Sequence, residues 1–173
     1  MRYSRTARLL HWGTALIVLL IIALGIRMVW APPEDEALKL RLYNIHESLG
    51  ITILLVTIFR LFWRWRHPPP PIHPPLPSML QRAATASHRM LYALLLVQPV
   101  LGLLATNAWG FPLTAYGLIP VPSPIGKNED WAPLLSTLHD SVGFLLAGLV
   151  VLHVGAALWH HAARGDDTLR RML

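Results

Sequence analysis

The sequence predicts an all-α integral membrane protein, a four-helix bundle whose helices run up, down, up and down. Hydrophobic residues make up 54% of the 173 residues, and charged residues only 14%, against about 25% in soluble domains. Four apolar segments reach or approach the ~20 residues that cross a hydrocarbon core. We treat residues 1–173 as a single transmembrane domain and place the helices near 8–29, 40–63, 82–105 and 134–160.

The first segment carries no charged residue from Leu9 to Ile26. A cleaved signal peptide is the alternative for residues 1–31, because a basic start precedes the apolar core and the run from Val29 to Ala31 offers a cleavage site. The apolar stretch, however, exceeds the usual core of about 7–15 residues, and it contains His11. We therefore favour a membrane helix that the protein retains.

The second and third segments have features that membrane helices tolerate. The second is apolar except near its start, and we expect Arg60 and Arg64 near its end to extend their charges to the membrane interface. The third contains Pro99, which predicts a kink. The proline-rich residues 66–77 between them predict an extended polyproline spacer.

The charges at the helix ends and in the loops predict the orientation. The side with both termini and the 64–81 connection carries eleven of the fifteen Lys and Arg residues and only two acids, whereas the other side carries four cations and seven acids. By the positive-inside rule the termini face the cytoplasm, as in a multi-pass protein of the bacterial inner membrane. The net charge of +6 then reflects topology and the lipid bilayer, and we expect no nucleic-acid partner.

Two histidines in the fourth segment predict its function. His139 and His153 are fourteen residues apart, which on a helix advances about 21 Å and returns the side chain to within about 40° of the same face. Ionisable groups are costly in hydrocarbon, so such a pair indicates a functional site, and two stacked haems would need ligands at these depths. The chain has no cysteine, which excludes Fe–S clusters, thiolate ligation and c-type attachment. A bound haem must therefore be held by His or Met.

The predicted topology sorts the histidines into two haem-iron sites. His46 and His139 share the outer half of the bundle and are expected to bind the outer haem iron. In the inner half, His153 needs a partner, and both His11 and His88 lie at the right depth.

The residue four positions after each histidine favours His11 as the partner of His153. This residue is the neighbour on the same helix face, where a porphyrin would need room. It is Tyr92 after His88 but small after the other four: Ala15, Gly50, Gly143 and Ala157. We therefore include Gly50 and Gly143 in the cofactor site, although small residues are also common wherever membrane helices pack. His88 and Arg89 are left for haem propionates or a quinone headgroup.

Several ordered motifs along the chain point to one family. They are HW at 11–12, H-x3-G at 46–50, R-x3-R at 60–64, H-x3-Y at 88–92, P-x2-G at 99–102, HD at 139–140, His153 and the tail HHAARGDDTLRRM at 160–172. This pattern resembles the bacterial cytochrome b561 family over nearly the whole chain, and the tail is highly specific. The resemblance implies four transmembrane helices, two haem b groups with bis-histidine ligation and electron exchange with ubiquinone. It also implies a relation to the cytochrome b subunits of membrane formate dehydrogenases and hydrogenases.

The resemblance makes a superoxide:ubiquinone oxidoreductase the leading functional hypothesis, since characterised members of the family oxidise superoxide at the periplasmic face and reduce ubiquinone. The outer surface is acidic overall, so attraction of this anion would depend on nearby cations. Lys39 and Arg41 precede His46 by seven and five residues, and we assign superoxide steering to them.

Two other functions are weighed against this one. An electron-transfer subunit would use the same haems to link the quinone pool to a periplasmic redox protein docked on the acidic outer surface. A metal or proton transporter would use the histidines without haem. The transporter is disfavoured because Glu47 and Asp140 lie near the outer surface, which leaves no carboxylate at the middle of the membrane.

Overall fold

The computed structural model describes residues 2–70 and 77–173. In this part of the chain four long helices are present: α1 (Arg5–Trp30), α2 (Glu36–Arg66), α3 (Ser78–Ala108) and α4 (Ala132–Ala162). A short antiparallel hairpin of β1 (Leu113–Ala115) and β2 (Ile119–Val121) connects α3 to α4, and a 3-10 turn, Arg170–Met172, lies near the C-terminus. All four helices are long and apolar enough to cross a membrane. The predicted all-α four-helix membrane bundle is therefore confirmed.

Each helix extends a few residues beyond the apolar span expected from the sequence, because polar flanking residues remain helical. The Ser4 hydroxyl caps α1 by accepting a hydrogen bond from the N–H of Ala7 (3.2 Å). The Asp35 carboxylate caps α2 by accepting from the N–H of Ala37 (2.9 Å). Such caps satisfy donors that the first helical turn leaves free. The α2 helix thus begins early enough to include Lys39.

The connection between α2 and α3 is only partly described. Residues 71–76 of the predicted polyproline spacer lie outside the described residues, and α3 begins at Ser78. Pro99 lies inside α3, which continues as a helix on both sides of it.

The core of the bundle receives side chains from all four helices. Its buried members are Val18, Ile53, Leu94, Leu95 and Leu146. The α1 helix packs mainly on α2, α2 also on α3, and α3 on α4. Many large apolar side chains face outward, as expected where the surrounding medium is lipid.

Both chain termini lie at one end of the bundle, which we call the termini end. The N–H of Tyr3 donates to the carbonyl of Arg171 (3.1 Å), and the indole Nε1 of Trp12 donates to the carbonyl of Met172 (2.7 Å). The opposite end, with the β-hairpin, is the hairpin end.

The hairpin packs along α2. The Asn44 amide donates to the Thr114 carbonyl (2.7 Å), and the N–H of Tyr116 donates to the Ser48 hydroxyl (2.7 Å). Tyr116 has a φ of 55°, which a bulky residue rarely adopts. Its hydroxyl lies 2.6 Å from that of Thr52, so contacts with α2 hold this turn in place.

Candidate functional site

His46 of α2 and His139 of α4 face each other at the hairpin end. Their ring centroids are 6.2 Å apart, and the ring planes are inclined by 77°. Both rings line a cavity whose other walls are mostly apolar: Val18, Ile21, Ile22, Gly50, Ile53, Leu95, Gln98, Pro99 and Leu146. This lining, mainly apolar with two imidazoles, has the chemistry that an apolar cofactor with histidine ligands needs.

His11 of α1 and His153 of α4 form a second pair nearer the termini end. Their ring centroids are also 6.2 Å apart, with an angle of 63° between the planes. His88 of α3 is close as well, its centroid 5.5 Å from that of His153. The structure therefore brings both candidate partners of His153 to it.

The spacing of both pairs fits iron coordination. Metal–imidazole bonds are about 2.0–2.1 Å long, so two imidazoles on opposite sides of one metal have donor nitrogens about 4 Å apart and ring centroids about 6 Å apart. The 6.2 Å separations of the His46–His139 and His11–His153 pairs meet this requirement. The Nδ1 atom of His46 is buried and makes no hydrogen bond within the described residues. The residues thus fit two bis-histidine haem sites.

Gln98 of α3 contacts both nitrogens of the His139 ring, and its side-chain nitrogen lies 3.4 Å from Nε2. The ring Nδ1 lies 3.1 Å from the main-chain oxygen of Gln98, and the Gln98 side-chain amide donates to the main-chain oxygen of His139 (2.9 Å). When Nδ1–H donates to a carbonyl, the proton resides on Nδ1 and Nε2 carries the free lone pair. His139 is therefore held in the tautomer that can bind a metal through Nε2.

Glycines allow these close contacts. A Cβ atom on Gly102 would lie 2.8 Å from Cε1 of His139, and one on Gly143 would lie 2.9 Å from Nε2 of Gln98. A Cβ on Gly50 would meet nothing within 4 Å, and Gly50 lines the cavity. Of the two glycines expected to border a porphyrin, Gly50 faces open space, whereas the space beside Gly143 holds the Gln98 side chain.

Arg60 is a site residue that the sequence analysis placed at the membrane interface. Its guanidinium carbon lies 5.5 Å from the ring centroid of Tyr92, and it is near enough to His11, His88 and His153 to interact with them electrostatically. Among the ion pairs of the described residues, none involves Arg60. Arg60 therefore has a partner in Tyr92 of α3 and lies within electrostatic reach of the inner histidines.

The two cations assigned to superoxide steering lie on the first turns of α2. Seven residues of helix bring Lys39 back to the face of His46, about 10 Å along the axis, whereas five residues place Arg41 on a different face. The Nζ atom of Lys39 lies 3.1 Å from the Glu36 carboxylate, so its charge is partly neutralised. Arg41 is exposed.

His88 and Arg89 are neighbours in sequence with different surroundings. Both residues are exposed; the His88 ring lies next to that of His153, and Arg89 borders an open groove along the first turns of α3. The other residues that line this groove are Ser78, Gln81, Arg82, Thr85 and Ala86.

The C-terminal tail folds back on the termini end. The Asp166 carboxylate lies 2.5 Å from Nδ1 of His160 and 3.3 Å from Nε of Arg164, and it accepts the N–H of Thr168 (3.0 Å). Burial disfavours the charged form of Asp166, but the hydrogen bonds from Thr168 and His160 outweigh it, and its pKa is lowered below the usual range. The tail then continues to α1, where Met172 accepts the Trp12 hydrogen bond.

Comparison with known proteins shows similarity along the whole chain. Residues 2–173 match the family described as prokaryotic cytochrome b561. Cytochrome b561 homolog 2 of Escherichia coli (strain K12) is 34% identical over 172 residues, which cover 99% of this chain and 91% of the relative. Cytochrome b561 homolog 1 of the same organism is 31% identical over 174 residues, with coverages of 99% and 97%. The probable superoxide oxidase CybB of Yersinia pestis is 32% identical over 177 residues, with coverages of 99% and 96%.

Proposed function

Since the chain belongs to the prokaryotic cytochrome b561 family of membrane electron-transfer cytochromes, we propose that it is a dihaem superoxide:ubiquinone oxidoreductase of the bacterial inner membrane. Superoxide is oxidised at the hairpin end, which faces the periplasm, and ubiquinone is reduced at the termini end. The observation that carries this proposal is the presence of two histidine pairs, His46–His139 and His11–His153, whose ring centroids are 6.2 Å apart in each pair.

In this proposal His46 and His139 are the axial ligands of the outer haem b, and His11 and His153 are those of the inner haem b. His11 is preferred to His88 because its distance from His153 equals that of the outer pair. The small Ala15, one turn after His11, leaves room for a porphyrin. His88 remains close to the inner site, in a position to contact a propionate or a quinone headgroup.

The chemistry of the site follows from its ligands. When bound, each haem supplies a one-electron redox couple. With His46 and His139 both holding the outer haem, superoxide would have to deliver its electron without binding to the iron. Oxidation of two superoxide anions gives two molecules of dioxygen and two electrons, which reduce one ubiquinone to ubiquinol with the uptake of two protons. His139 and His153 lie about 21 Å apart along α4, so the electron would cross the membrane between these two depths.

The substrate assignment is supported by the relative named as a probable superoxide oxidase. Lys39 is the better placed of the two steering cations, because it shares a helix face with His46 while Arg41 does not. Its ion pair with Glu36 limits the attraction, and Arg41 adds positive charge to the same end of the bundle.

An electron-transfer subunit that docks a periplasmic redox protein is the second candidate. Exposed acidic side chains at the hairpin end favour it, because they would attract a basic partner. These residues are Glu34, Asp35, Glu36, Glu129 and Asp130. Both candidates use the same haem sites and differ in the electron donor.

The two candidates are separated by a steady flux of superoxide supplied to the purified protein with a short-chain ubiquinone. We expect ubiquinol to form with half the stoichiometry of the superoxide consumed, and addition of superoxide dismutase to abolish it. If the haem iron is not reduced by superoxide, the oxidoreductase assignment is wrong and the docking subunit becomes the better account.

A further inference from the structure

The two histidine pairs lie in surroundings of opposite charge. Near the inner pair, Arg60 interacts electrostatically with His11 and His153, and Arg64 interacts with His88. Arg60 is partly buried, and the ion pairs found among the described residues do not include it. The surroundings of the inner site therefore include the positive charges of Arg60 and Arg64.

Near the outer pair lie a carbonyl oxygen and the carboxylate of Asp140 instead. The main-chain oxygen of Gln98 faces Nδ1 of His139, and Asp140 interacts electrostatically with the same ring. On α2, Glu47 follows His46 directly, and one of its carboxylate oxygens accepts a hydrogen bond from the Thr106 hydroxyl (2.8 Å).

This difference acts on the reduction potential of a metal bound at each site. Reduction adds one negative charge, which a nearby cation stabilises, more strongly in a medium of low dielectric constant than in water. A carbonyl that accepts the Nδ1–H of a ligand makes the imidazole a stronger donor, which stabilises the oxidised metal. Arg60 is thus expected to raise the potential of the inner site, and the contact with Gln98 to lower that of the outer site.

We infer that Arg60 and Gln98 are positioning residues that separate the reduction potentials of the two sites, so that electrons run downhill from the hairpin end to the termini end. The inference rests on the proposed dihaem function and adds to it the residues that favour its direction of electron flow. Neither residue needs to contact a substrate for this role.

Both side chains are held in place. The Arg60 guanidinium lies over Tyr92, which fixes its distance from the histidines. The Gln98 amide fills the space that Gly143 leaves beside α4, where a Cβ would come within 2.9 Å of it. This amide ties the main chain of His139 to α3, so the carbonyl of Gln98 remains opposite the His139 ring.

The experiment is an optical redox titration of the purified, haem-loaded protein after its haem content has been measured. We expect two steps, and His46→Ala should remove the step of lower potential. Arg60→Leu should shift the higher step to lower potential and leave the other step in place. Arg60→Lys should keep the potential of the higher step close to that of the unmodified protein. Arg66→Leu serves as a matched control, because Arg66 is exposed and lies six residues further along α2.

A second variant tests the outer site. Gln98→Leu removes the hydrogen bond from the side-chain amide to the main-chain oxygen of His139 and loosens the contact between the Gln98 carbonyl and the ring. It should raise the reduction potential of the lower step. The electron paramagnetic resonance spectrum of the corresponding ferric haem should change with it. If Arg60→Leu does not retain both haems, Arg60→Gln is titrated in its place.

Two kinds of failure are distinguishable. Suppose that the protein binds two haems, but loss of the Arg60 charge changes neither reduction potential or changes only the lower one. The inference is then wrong while the dihaem function stands. If His46→Ala removes the higher step, the proposed direction is reversed and the inference is wrong. If the unmodified protein binds one haem or none, the proposed function fails and the inference fails with it.

Discussion

The rings of His11 and His153 lie 6.2 Å apart, although α1 packs mainly on α2 and α4 mainly on α3. The two helices thus approach each other at their histidines. The same separation recurs between His46 and His139 at the other end of the bundle. Two equal separations at different depths match the spacing of two imidazoles that share one metal.

Replacement of single histidines tests the ligand assignment. His46→Ala and His139→Ala should each remove only the outer haem, and His11→Ala only the inner one, because each iron loses an axial ligand. Haem content per chain and the reduced spectrum measure the loss. If His11→Ala retains both haems while His88→Ala loses one, His88 is the fourth ligand.

The two glycines near the outer pair should respond differently to substitution. Gly50→Leu should expel the outer haem, because the added side chain would enter the cavity that Gly50 lines. Gly143→Ala should retain both haems but displace the Gln98 amide, which would lie 2.9 Å from the new Cβ, and so alter the spectrum of the outer haem. Haem content and resonance Raman spectra check both. Normal haem binding by Gly50→Leu would show that this glycine serves helix packing.

The buried contact of Asp166 predicts a pH-dependent contribution to stability. Its pKa is lowered in the folded protein, so its contribution is fully present above the pKa of about 3.9 of an unfolded chain and decreases as the pH falls below it. Asp166→Asn should therefore destabilise the protein at neutral pH, by on the order of 1–3 kcal/mol for a charged hydrogen bond. Thermal unfolding in detergent measures the difference.

The neighbouring Asp167 provides the control for this prediction. Its contact with Arg170 is long, 3.9 Å, and both side chains are exposed, so Asp167→Asn should change the stability little. Equal destabilisation by the two substitutions, or a difference that persists unchanged at acid pH, would contradict the role given to Asp166.

The steering role of Lys39 and Arg41 is tested by salt dependence. Removal of both charges should slow haem reduction by superoxide and flatten its dependence on ionic strength, because steering is screened over about 8–10 Å at physiological salt. Reduction by quinol should not change, since quinol is expected to act at the other end. A double variant that reacts with superoxide at the same rate and with the same salt slope would exclude these residues from steering.

Apolar length and histidine spacing were sufficient to predict the helices and the grouping of the histidines. The thickness of the membrane sets the length of a helix that crosses it, so the apolar spans located all four helices. The depth of each histidine then followed from topology, and the structure brings His46 to His139 and His11 to His153. The sequence placed both His11 and His88 near His153 and favoured His11 from the small residue at i+4, and the structure brings both rings within 6.2 Å of the His153 ring.

Other site residues depended on contacts that no local pattern encodes. Arg60 contacts Tyr92 of another helix, a partner that the sequence around either residue does not reveal. Gln98 is an isolated amide before a proline, and its role depends on a carbonyl in its own main chain. The three-residue strands β1 and β2 are too short for a periodic signal and are held by contacts with α2.

The most direct test of the whole account is the haem stoichiometry of the purified protein. We expect a reduced b-type spectrum with two haems per chain, both removed by acid acetone, because a chain without cysteine cannot form thioether bonds. Electron paramagnetic resonance of the oxidised protein should show two low-spin ferric species. One haem per chain, or none, would contradict the assignment of the two histidine pairs and with it the proposed path of electrons through the bundle.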